Sequence, residues 1–254
     1  MKQIICLLIL LLWGFTACGR TDRPAETATT AATEILTTAA SEPAQPEHSA
    51  YYIPGLDEES LITYFNEVVL DAEFTDGGDA SLVQKWDQKI LYSVTGQPTG
   101  KDLSVLEKMV QWLNQIPGFP GMAPVEPGEF ANLQIHFTDE QGMVARLGEE
   151  YRGLDGAVRF WYDGENRIYE GVICLRTDLD QKTRNSVIQE EIYNGMGPVQ
   201  DTDLRQDSLI WSGFSTPQDM TDVDRLIMTL LYHPGIRCGM NREDCQRVIR
   251  ELYD

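Results

Sequence analysis

The stretch Val187-Ile188-Gln189-Glu190-Glu191-Ile192-Tyr193-Asn194-Gly195-Met196-Gly197-Pro198-Val199-Gln200 decides how the rest of the chain is read. At ~100° per residue, Glu191 falls between Val187 and Ile188 on the arc shared with Ile192 and Gly195. Its carboxyl therefore points toward the apolar side, where a charge is costly. The helix that carries it spans about Asp180 to Asn194, because Gly195, Gly197 and Pro198 cannot continue it.

Just upstream, Ala157–Tyr162 and Ile168–Arg176 are β-rich runs separated by Asp163-Gly164-Glu165-Asn166, the pattern of a hairpin. Farther back, Lys89–Val94 is a short β-rich run. Asn132–Thr138 alternates Leu133, Ile135 and Phe137 with Gln134, His136 and Thr138, as a strand with one apolar face does. Helical spacing marks Asp57–Leu70, with Leu61, Tyr64, Phe65, Val68 and Val69 on one face, and Asp102–Ile116, stopped by Pro117-Gly118. Downstream, Thr221–Tyr232 and Asn241–Tyr253 open on capping side chains, with Asp224 and Asp244 in their first turns. The expectation is an α+β domain, a mixed or antiparallel sheet packed against helices, with a helical C-terminal part.

The chain opens with Lys2, an apolar run from Ile4 to Trp13, and Gly14-Phe15-Thr16-Ala17-Cys18. That is the order of a signal peptide, and the run falls short of the ~20 apolar residues of a membrane-spanning helix. Small residues before a cysteine resemble the lipobox of bacterial lipoproteins, although Phe15 stands where that motif prefers Leu. The resemblance implies a signal peptide over 1–17 and a lipid on Cys18; an uncleaved anchor or an ordinary secretory signal would equally place the domain outside the cytoplasm. From Gly19 to Ala50 the chain is mostly Thr, Ala, Glu and Pro, a tether with little to bury. Random-coil scaling gives it an average reach of about 30 Å. The globular domain then covers 51–254.

A net charge of −20 argues against nucleic-acid partners and against a basic membrane-binding patch. Beyond Cys6 and Cys18, the domain holds Cys174, Cys238 and Cys245. In an oxidising compartment Cys238 and Cys245 are the natural disulfide pair, with reduced buried thiols as the alternative. Cys174, inside Val172-Ile173-Cys174-Leu175, reads as core rather than nucleophile.

The 187–200 stretch resembles the zinc-peptidase motif His-Glu-x-x-His-x-x-Gly-x-x-His. Glu190 stands at the first ligand position, Glu191 at the catalytic glutamate, Asn194 at the second ligand, Gly197 at the glycine and Gln200 at the third ligand. All three histidines are replaced. Asp207-Ser208-Leu209-Ile210-Trp211 and Thr216–Tyr232 resemble the turn and final helix of matrix-metallopeptidase-like zincins. Leu82–Val94, Val110–Gly121, Ser186–Gly197 and Asp222–Met240, taken in order, are similar to an uncharacterised bacterial family, domain of unknown function 2927, which looks like a degenerate zincin. The resemblance implies a zincin-like α+β fold.

Zinc catalysis needs imidazole or thiolate ligands and an open position for an acidified water. Glu190, Asn194 and Gln200 offer one carboxylate and two amide oxygens, so neither a bound metal nor another cofactor is expected. Glu190, Asp201 and Asp203 are a conceivable hard-cation group. Glu191 is either a structural glutamate hydrogen-bonded to backbone or Tyr, or a metal-free general acid or base with a raised pKa. His136 reads as solvated and His233 as a helix-end imidazole; Trp161 points away from Phe160 and Tyr162 along its strand. The expected function is a membrane-anchored extracytoplasmic lipoprotein, its partners the bilayer through Cys18 and an envelope protein or cell-wall component. Its role is binding or assembly rather than catalysis. The rival is a divergent hydrolase using Glu191.

Overall fold

The computed structural model describes residues 49–71, 82–126, 128–198, 200–213 and 218–253. The signal segment, Cys18 and most of the tether lie outside them.

Among the described residues six α-helices appear, and each begins on a capping side chain. Helix α1 (Glu58–Leu70) starts after Asp57, whose carboxylate accepts from Ser60 N. Helix α2 (Gly100–Leu113) and helix α5 (Asp222–Leu231) start on capping boxes, Thr99 with Asp102 and Thr221 with Asp224. Helix α4 (Gln181–Asn194) starts under Asp180, which accepts from Lys182 N and Thr183 N. In helix α6 (Arg242–Tyr253) Asn241 Oδ1 accepts from Asp244 N at 3.0 Å. Helix α3 (Glu140–Leu147) starts under Asp139, which accepts from Gly142 N at 2.8 Å, but it buries only Met143 and Leu147 and carries too little apolar periodicity to be read from sequence.

The sheet has six strands: β1 (Lys85–Trp86), β2 (Ile90–Gly96), β3 (Met122–Pro124), β4 (Leu133–Thr138), β5 (Gly156–Tyr162) and β6 (Arg167–Arg176). Strand β6 is its hub. Along one edge β6 pairs in parallel with β4 (Leu133 opposite Gly171) and with β1 (Lys85 opposite Arg167). On the other it pairs antiparallel with β5, from Gly156 opposite Leu175 to Tyr162 opposite Ile168. Strands β4, β2 and β3 continue in parallel register.

The α+β mixture and the hairpin agree with the sequence, but the weight given to antiparallel pairing does not: β5–β6 is antiparallel and the other four pairings are parallel. Parallel neighbours require crossover connections such as α2 between β2 and β3, a non-local property. The hairpin turn is local. Asp163 Oδ1 accepts from Glu165 N and Arg167 N, and Asn166 takes the left-handed φ of 61° that its short amide side chain tolerates.

One face of the sheet, with Ile135, Phe137, Ile173 and Leu175, packs into the main core with α1, α4 and α5. The other carries Ala157 and Cys174 against Met143 and Leu147 of α3. Burying both faces explains the near-continuous apolar run of β6.

Candidate functional site

Helix α4 is fixed at both ends before its carboxyls come into play. Near its start, Arg184 is ion-paired with Asp102, which is fully buried at the start of α2. Gln181 Nε2 donates to the same carboxylate at 2.8 Å, and Asp102 also accepts from Thr99 N at 2.7 Å. One carboxylate thus caps α2 and ties it to α4.

At the other end, Trp86 Nε1 donates to Gly195 O at 2.8 Å and Tyr232 OH to Met196 O at 2.8 Å. These bonds satisfy carbonyls that a buried helix terminus would otherwise leave without partners. Gly197, at the glycine of the motif, has φ 131°, and a Cβ there would stand 2.8 Å from Gln84 O and 2.9 Å from Leu231 Cδ2. Only glycine fits that crossing.

Glu191 points inward, as its helical phase requires, and is 7% exposed. It lies beneath the start of β5, where a Cβ on Gly156 would come within 2.7 Å of Glu191 Cγ and 2.9 Å of its Oε1. The bare backbone of Gly156 makes the room for this carboxyl. The structural alternative had it hydrogen-bonded to backbone or tyrosine. Instead, no donor among the described residues reaches it, and Tyr193, its neighbour, donates to Asp224 O. Glu190 sits beside it, half-buried.

Burial, then the charges of Asp201 and Asp155, push the Glu190 carboxyl up to about 8. Burial, then Glu190 and Asp201, hold Glu191 well above the usual carboxylate range. Arg176 faces Asp155 at 3.3 Å, and no cation offsets the two glutamates among the described residues. A carboxyl that cannot find a counter-charge keeps its proton. Burial and the neighbouring acids thus favour the uncharged form of both carboxyls, which carries an O–H donor and a carbonyl acceptor.

Asn194, one turn on from Glu190, is buried, and its Oδ1 meets no donor. Gln200, beyond the helix, is half-buried. Among the described residues, no group of three or more His, Cys, Asp or Glu is placed to hold one metal ion. The conceivable Glu190, Asp201 and Asp203 group is not assembled, because Asp203 is exposed and accepts from Ser212 Oγ. The donor set does not fit zinc, which would find a protonated carboxyl and carboxamides where it needs imidazole or thiolate.

The imidazoles have other neighbours. His136 is half-buried rather than fully solvated and shares a 2.5 Å hydrogen bond with Thr95 Oγ1; burial, then Arg146, lowers its pKa. His233 Nδ1 accepts from Gly235 N at 3.0 Å, at the end of α5. Burial pushes the Cys174 thiol up to about 11, in keeping with a core thiol. Cys238 and Cys245 are free thiols in this structure. Trp161 is 37% exposed, while Phe160 and Tyr162 are partly buried on the opposite side.

Sequence reading missed Asp155 and Gly156, which belong to another element. It also missed Lys85, which lines a separate groove described below. The loop beyond α4 returns to the core as a hydrogen-bonded chain: Tyr64 OH donates to Ser208 Oγ, and Ser208 Oγ to Asp224 Oδ1. Among curated proteins none matches this chain. The profile of a family described as "Protein of unknown function (DUF2927)" matches residues 58–251, and the chain belongs to that family.

Proposed function

We propose that this chain is a lipid-anchored extracytoplasmic binding protein, and that its domain is a zincin-like scaffold whose cation site has been dismantled. One observation carries the reading: α4 keeps the frame of the motif, with Glu191 inward and Gly197 at its close crossing, while the ligand positions hold an acid with a raised pKa and amides. Such a surface recognises polar, uncharged groups such as peptide or sugar carbonyls and hydroxyls, which pair with both donors and acceptors. Cys18 attaches the chain to a bacterial membrane, the tether lifts the domain clear, and the partner is an envelope protein or cell-wall component.

Metal analysis of the purified chain, paired with a peptide-cleavage assay, tests the scaffold reading. The expected result is no stoichiometric zinc and no cleavage; stoichiometric zinc with cleavage overturns it. Fatty-acid labelling in a bacterial host, lost in Cys18→Ser, tests the anchor. A second reading rests on the raised pKa of the same carboxyls, which suits a metal-free general acid or base. It requires hydrolysis that Glu191→Gln abolishes.

A further inference from the structure

A groove of about 790 Å³ lies on another part of the domain, between β1, the β5–β6 turn and the loop after α5. Its volume falls within the roughly 300–1,000 Å³ of small-molecule sites. Its charges divide unevenly. Both acids in the lining, Asp87 and Glu165, face Arg167, at 3.8 and 3.0 Å, and Asp163 adds a third contact at 2.8 Å. Two cations remain, Lys85 and Arg237, and neither meets a carboxylate among the described residues.

Lys85 is 8% exposed. Its Nζ donates to Leu231 O at 2.6 Å and to Ile236 O at 2.5 Å and stands 5.4 Å from the Tyr232 ring centroid. An ammonium has three N–H donors, and the carbonyls use two. Arg237 is exposed at the groove, with its guanidinium donors directed to no protein acceptor among the described residues. Burial of the Lys85 ammonium outweighs the help it gets from the charge of Asp87, and an anion beside it would offset that cost.

We propose that this groove binds a small organic anion, with a carboxylate or phosphate group seated between Lys85 and Arg237. The site is independent of the carboxyl pair on α4 and stands or falls separately from the proposed binding role.

Isothermal titration of the full chain at pH 7 and low ionic strength, with inorganic phosphate and with citrate, tests it. The expected result is one saturable site for at least one of the two. Phosphate alone identifies a phosphorylated ligand, and citrate alone a carboxylate. Arg237→Ala weakens the binding about tenfold, the loss expected for a charge-assisted hydrogen bond, and Arg237→Glu abolishes it. Both variants keep the wild-type melting temperature, because Arg237 is exposed. Lys85 variants also release the end of α5, so the Arg237 pair decides. No saturable binding of either anion, or affinity unchanged in both Arg237 variants, overturns the proposal.

Discussion

Burial, and then the charges of neighbouring acids, favour the protonated form of Glu190 and Glu191, and this fixes how stability depends on pH. Between the ordinary glutamate pKa of 4.5 and the folded value of about 8 for Glu190, the native state holds a proton that the unfolded chain has released. Stability from this group is therefore full below pH 4.5 and is lost as pH rises through 8. Glu190→Gln should flatten that fall, raising stability relative to wild type at pH 8 by on the order of 4 kcal/mol at most while changing it little at pH 4.5. Urea midpoints at the two pH values check this. Gly156→Ala should cost roughly 1–3 kcal/mol, since its methyl would overlap Val187 and Glu191. Glu191→Ala in the same chain should recover part of that loss, as a positive coupling in a double-mutant cycle. The inward aim of Glu191 was legible in the sequence because helical phase is local. Asp201 was already grouped with Glu190 from sequence, and its charge does act on both glutamates; Asp155 and Gly156 were not legible as neighbours, because β5 meets the helix only in the folded chain.

The same division holds among the elements. Five of the capped helices were legible to within a few residues, since apolar periodicity accompanies a cap that acts over three positions, whereas α3, capped by Asp139, lacks that periodicity. Strands β1 and β3, of two and three residues, are too short to display any period. The join between α2 and α4 rests on Asp102, which caps one helix and neutralises Arg184 of the other. Asp102→Ala should cost about 3–5 kcal/mol, as removing one partner of a buried ion pair does. Thr221→Ala, which removes only the side-chain cap of α5, should cost about 1 kcal/mol. Denaturant melts of both variants, compared with wild type, distinguish the two magnitudes.

Across the whole molecule, the surplus of acids sets a background repulsion. Raising salt from about 10 mM to 150 mM shortens the screening length from ~30 Å to ~8 Å. The melting temperature should therefore rise over that interval, as calorimetry at constant pH would measure; a fall would mean that exposed ion pairs outweigh the net charge of −20. The parallel sheet was the part least visible in sequence, because strand partnership depends on which crossover joins which strands. What the assembled molecule adds is rigidity along α4, clamped by Asp102 at one end and by the Trp86 indole and Tyr232 phenol at the other. A rail held at both ends cannot swing to meet a visitor. Whatever docks along it must arrive already matched in shape, so free and occupied forms should superimpose and little ordering entropy remains to be lost on contact.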